Sequence, residues 1–170
     1  EYTSMHEFQK AVLNVTNTYR RQHNATSVVW NGTLEGDAEG WGERCLFGHS
    51  GGPYGENLSS GYPNASASIE AWGQERVDYD FAKADFSHGT GHFTQLVWKA
   101  TTAIGCSRTR CDGRDKGGAP GWYVVCEYWP RGNVIGSFEK NVQERVEDDE
   151  EPANPGQGEE PDEECMQGAL

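Results

Sequence analysis

Apolar residues recur at helical spacing near the start of the chain, where Phe8, Val12, Val15 and Tyr19 fall on one stripe. Ser4-Met5-His6-Glu7 precedes them in the form of a capping box, so an amphipathic helix is expected over residues 4–21. Leu34, Ala38, Trp41 and Cys45 predict a second helix over 33–45. Its Gly36, Gly40 and Gly42 each weaken it by about 0.5–1 kcal/mol relative to alanine, so tertiary contacts must hold it. A third helix is expected over 68–78, carrying Ile69, Trp72 and Arg76, and a fourth opens near Gly91 with His92, Gln95 and Leu96. The pattern then changes. Runs rich in β-branched and aromatic residues at 104–109 and 122–129 predict two strands, with Val124 and Cys126 on one face. GRDKGGAPG, residues 113–121, is a polar turn between them, which makes the pair an antiparallel hairpin.

Charge divides the chain. Residues 144–164 hold 11 acidic side chains and one basic, a net of −10 out of a formal −13 for all 170 residues. This stretch also carries Pro152, Pro155 and Pro161 and offers little to bury, so residues 144–170 are expected to be a disordered acidic extension. Residues 1–143 suffice for one domain with its own core. An acidic chain without a basic patch argues against nucleic acid as a partner. No run of about 18 apolar residues is present, so no helix should span a bilayer. Five cysteines and five N-x-[ST] sequons suit an oxidising, extracellular compartment, with glycans expected on Asn14, Asn24, Asn31 and Asn64. The chain opens at Glu1 without a basic n-region or apolar h-region, as a mature form freed of its signal would.

Candidate chemistry lies in three short stretches: His49 and Glu56 in HSGGPYGENL, Glu75 in AWGQE, and His92 in GHFTQLVW. Gly51, Gly52, Gly55 and Pro53 allow a tight loop that returns Glu56 towards His49. Glu75 follows Trp72 by three residues on a helix, and a carboxylate on such an apolar flank needs a partner. Two imidazoles and two carboxylates converging in one cleft would suit Zn²⁺ or another divalent metal. A polar cluster that orders the loops is the alternative. The sequon at Asn57 falls inside the same stretch and makes a poor glycan acceptor. Gly48-His49-Ser50-Gly51-Gly52 matches G-x-S-x-G, but a nucleophile elbow needs a strand before the serine and a helix after it, so the match is read as accidental. Tyr79, Phe81 and Phe86 in YDFAKADF could wall a flat apolar ligand or simply pin a loop.

Taken together, HSGGPYGENL, YDF, GHFTQLVWK, VVWNGTLEGDAEGWGERC, IGCSRTRC and VVCEYWPRGN occur in an order that resembles the CAP superfamily. These are the cysteine-rich secretory, antigen 5 and pathogenesis-related 1 proteins. The likeness spans roughly residues 4–143 and is strongest to the yeast branch. It implies an α+β fold, a three-layer α/β/α sandwich, with His49, Glu56, Glu75 and His92 lining a central cavity. It also implies bridges Cys45–Cys111 and Cys106–Cys126, each worth about 3–5 kcal/mol in the chain-entropy model, which leaves Cys165 unpaired on the acidic extension. Tyr79, Phe81 and Phe86 match the aromatic motif of sterol-binding members, and the yeast branch binds and exports sterols and fatty acids. CEYWPRGN resembles the plant branch's CNYxPxGN, where cleavage before the proline releases a signalling peptide, although Glu127 replaces the usual asparagine. The expected function is therefore secreted, non-enzymatic lipid binding. A secreted effector acting through a host protein partner, or through a peptide released before Pro130, stands second, and a metal-dependent hydrolase third.

Overall fold

The structure is a computed structural model and describes residues 1–114 and 117–146. Most of the acidic extension expected at 144–170, with Cys165, lies outside the described residues.

Helix α1 runs Met5–Gln22, and Ser4 caps it through an oxygen that accepts from the Glu7 amide at 3.3 Å. Phe8, Val12 and Tyr19 face inward as their spacing requires. Arg20, on the same helix, is fully buried, and its guanidinium donates to the carbonyls of Thr26, Leu96, Trp98 and Thr101 at 2.7–3.1 Å. One buried cation thereby satisfies acceptors that would otherwise be stranded in the core.

Strand β1 is only Val29–Trp30, and Asn31 then caps α2, Gly32–Gly42, by accepting from Thr33 and Leu34 amides. The helix stops three residues short of the expected limit, and Cys45 lies beyond it at φ 53° rather than on its buried stripe. Gly105 explains how α2 lies so close to the sheet: a Cβ there would strike the backbone of Leu34 and Glu35. Helix α3, Ala65–Gln74, starts earlier than expected because Asn64 accepts from Ala67 and caps it. It ends in a 3₁₀ turn, Glu75–Asp78, and α4 is Gly91–Leu96.

Strands β3, Ala103–Asp112, and β4, Pro120–Trp129, form the expected hairpin. Strand β2, Gly55–Ser60, was not legible, since GENLSS is poor in strand-forming residues; what holds it is a six-residue antiparallel register with β4. The stretch read as a loop returning to Glu56 therefore ends inside a strand. Among the described residues the strands form one sheet in the order β1-β3-β4-β2, with β1 parallel to β3. A short helix α5, Phe138–Asn141, follows.

Alternation along β4 assigns the two faces. Val124, Cys126 and Tyr128 pack with Phe8, Ile69, Trp72 and Phe93 from the α1, α3 and α4 layer. Tyr123 and Val125 pack with Ala38 of α2 and Leu58 of β2. The result is an α+β, three-layer α/β/α sandwich. Cys106 lies directly opposite Cys126, and the two are bridged with Cα atoms 4.1 Å apart. A second bridge, Cys45–Cys111, ties the end of the α2 region to the hairpin across 66 residues.

Candidate functional site

The register places Glu56 opposite Glu127 and Leu58 opposite Val125, so Glu56 belongs to the α2 side of the sheet. His49 reaches it from the preceding loop, with Nδ1–H donating to Glu56 Oε1 at 2.7 Å, and the Ser50 amide donates to the same oxygen at 2.9 Å. Burial alone would raise the Glu56 carboxyl, but hydrogen bonds from His49, Glu127 and Ser50 outweigh it and hold the group below the usual carboxylate range. The same bond raises His49 above the usual imidazole value. Glu127 moves the other way: burial, then its hydrogen bond to Glu56 and the charges of Glu56 and Asp37, push it well up. A protonated Glu127 resolves what the geometry leaves open. Glu56 Oε2 is buried with no N–H or hydroxyl to accept from, and a carboxyl proton kept on the neighbouring Glu127 is the donor that would satisfy it.

The second pair is built in the other layer. His92 opens α4, and its Nδ1–H donates to Glu75 Oε1 at 2.6 Å, while the Phe93 amide donates to Glu75 Oε2 at 3.0 Å. The imidazole stacks on Trp72 with ring centres 5.9 Å apart. Between the pairs sits Asn57, whose buried amide donates to the His92 carbonyl at 3.0 Å and the Tyr128 hydroxyl at 3.3 Å. That amide is fully committed, which disqualifies Asn57 as a glycan acceptor in the folded protein. Asn14, Asn24 and Asn31 are exposed and Asn64 is partly so. Asn31 and Asn64 cap helices through Oδ1, which leaves Nδ2, the atom a glycan would take.

The four expected site residues therefore come together as two His–Glu pairs. Each imidazole turns Nδ1 to a carboxylate, the orientation that backs a metal-ligating Nε2 in other proteins. Both carboxylates, however, are spent on imidazole and backbone N–H, and among the described residues no three His, Cys, Asp or Glu groups are placed to hold one ion. The residues do not fit an ion ligated by all four. A cavity of about 220 Å³ opens beside the first pair, between His49, Glu56, Gln95, Arg131 and Asn133.

The aromatic motif also divides. Tyr79 and Phe81 lie edge to face at 4.8 Å and pack on Phe93, with His23 stacked against Phe81 at 6.1 Å. Phe86 stands apart, 37% exposed, near Phe138 and in contact range of Gly91. The segment after Pro130 is stitched to the body. Phe138 and Val142 are buried, Asn141 accepts from the Lys99 and Ala100 amides, and the Val146 amide reaches the Gln22 carbonyl. A peptide cleaved before Pro130 would have to be torn from these contacts.

Glu127 is the site residue that the sequence pointed to only as a departure from a plant motif. Its partnership with Glu56 depends on the β2–β4 register, which no local signal announces.

Comparison with known proteins agrees with this architecture. The family model described as the cysteine-rich secretory protein family, CAP, matches residues 13–128. Protein PRY2 of Saccharomyces cerevisiae is 42% identical over 141 residues, covering 80% of this chain and 41% of its own length. Secreted protein RBT4 of Candida albicans is 34% identical over 142 residues, covering 79% and 38%. This chain thus spans about two-fifths of the length of these curated relatives. Venom allergen-like protein 4 of Schistosoma mansoni shares the fold, with a TM-score of 0.65 at 23% identity, over 83% of this chain and 96% of that one. The chain belongs to the cysteine-rich secretory protein family, CAP.

Proposed function

We propose that this domain is a secreted, non-enzymatic lipid-binding protein that carries a sterol, with fatty acids as a second ligand class. The observation that carries the reading is the way the loop after the 3₁₀ turn is held. Between Asp80 and Thr90 its hydrogen bonds are mostly local: Ala82, Lys83 and Ala84 amides turn onto Asp80, and the Thr90 amide onto Ser87. Rings, rather than bonds to the sheet, pin it down. Lifting the loop would exchange contacts among Tyr79, Phe81 and Phe93 for contacts with a flat sterol, so apolar burial is conserved while the ligand enters. Phe86, already half-exposed, supplies the outer edge.

Extracellular residence is supported by the two disulfides and by relatives that are themselves named secreted proteins. Among the described residues no helix is long and apolar enough to cross a membrane. The two His–Glu pairs act in this reading as clasps, one fixing the 49–56 segment and one fixing α4 to the end of α3. Metal is not required for either.

The test is labelled-sterol binding by the purified chain. Phe81→Ala combined with Phe86→Ala removes aromatic area worth about 1.5–3 kcal/mol per buried ring, so affinity should fall at least about a hundredfold. Circular dichroism and thermal melting establish first that the double variant is folded. A folded variant that binds sterol as tightly as the parent would return Tyr79, Phe81 and Phe86 to a purely anchoring role.

A further inference from the structure

Against the outer flank of α2 lies an open cleft of about 510 Å³ that the lipid reading does not use. Its helical wall is Gly36, Asp37, Gly40 and Trp41; Tyr54 and Glu127 face them. Gly36 and Gly40 are one turn apart, and a Cβ at either would meet no neighbouring atom within 4 Å. Close packing therefore explains neither, in contrast to Gly42, where a Cβ would crowd Ser107 and Thr109, and to Gly105 against the α2 backbone. Glycine within a helix is unfavourable relative to almost every other residue. Two such residues on the cleft wall keep open a space that ordinary side chains would fill.

The walls define what the space accepts. Trp41 is fixed by its Nε1–H donating to the Gly48 carbonyl at 2.9 Å, and Arg44 covers its ring at 4.7 Å. Tyr54 is held edge-on to Trp129 at 5.9 Å, and desolvation, with the Asp37 carboxylate nearby, raises its phenol. Rigid ring edges and fixed polar groups thus alternate around an open trough. An anion would face Asp37 and the Glu56–Glu127 pair, a simple cation would meet Arg44 at the rim, and a lipid chain would leave the carboxyl groups uncompensated. A ring of hydroxyls with apolar C–H faces suits both kinds of wall: hydroxyls to Asp37, Glu127 and Ser50, and C–H faces to Trp41 and Tyr54.

We propose that the cleft between α2 and Tyr54 is a binding site for an uncharged sugar, a unit of a neutral polysaccharide or glycan. The site is separate from the aromatic loop, so sugar and sterol should bind independently.

The test titrates the full chain with soluble oligosaccharides of glucose, mannose and N-acetylglucosamine, following tryptophan emission and heat. One of them should saturate. Gly40→Gln should weaken it by at least about tenfold, because a long side chain then occupies the trough, while the melting temperature rises, because glutamine is the better helix former. Tyr54→Ala should weaken it similarly. Sterol affinity of the Gly40→Gln variant should match the parent, which separates failure here from failure of the lipid reading. The proposal is overturned if no oligosaccharide saturates, if Gly40→Gln binds one as tightly as the parent, or if sterol competes with sugar for the cleft.

Discussion

Glu56 and Glu127 face each other across β2 and β4, and two buried carboxyl groups so placed cannot both be charged without large cost. The proton stays on Glu127. Its folded pKa is raised, so the stability it contributes is fully present below the ordinary glutamate value and is lost as pH rises through the raised one. His49, also raised, contributes with the same sign: present below the ordinary imidazole value, lost as pH climbs through its folded value. Glu56, held low, is opposite, and its contribution is lost only in acid. Stability should therefore decline between about pH 5 and pH 8. Glu127→Gln keeps a donor towards Glu56 and removes the titration, so urea unfolding at the two ends of that range should show a smaller decline than in the parent. An equal decline in both proteins would mean that Glu127 is ionised in the folded state.

At the scale of elements, the legible parts were those whose signals are local. Helix α1 announced itself through Ser4, Glu7 and a 3.6-residue stripe, and the β3–β4 hairpin through its β-branched runs and polar turn. Strand β2 has no such signal, and its identity as a strand comes from residues 63–73 positions later in the chain. The same cause hid the Glu127 partnership, while His49, Glu56, Glu75 and His92 stood out through motifs. Helix α2 shows a third case: Asn31, singled out as a glycan site, is also its cap. The two roles separate by mutation. Thr33→Ala abolishes the sequon but leaves the Asn31 oxygen on the Thr33 and Leu34 positions, and should change stability little beyond the loss of any glycan. Asn31→Ala removes both and should cost about 1 kcal/mol even in protein made without glycosylation. Equal melting temperatures for unglycosylated parent and Asn31→Ala would show that the cap contributes nothing.

At the scale of the whole molecule, Glu75 and His92 bracket the aromatic loop. Glu75 begins the 3₁₀ turn before Tyr79, and His92 lies in the first turn of α4 just after Thr90, so their hydrogen bond closes the base of the segment proposed to lift over a sterol. On the lipid-binding reading proposed above, Glu75 and His92 act as a latch on that segment. The Phe93 amide on Glu75 Oε2 reinforces it. Glu75→Gln keeps the shape but leaves one acceptor oxygen where His92 and the Phe93 amide now use two, and makes the remaining bond neutral, a loss of about 1 kcal/mol or more. Loop amides from Tyr79 to Thr90 should then exchange with deuterium several-fold faster, and labelled sterol should associate faster, whereas exchange in β3 and β4 stays as it was. His49→Ala breaks the other pair, which lies on the α2 side of the sheet, and should leave both loop exchange and sterol association unchanged. If the two substitutions loosen the loop equally, or if neither does, the Glu75–His92 pair is not its latch, and the rings of Tyr79 and Phe81 alone decide when it opens.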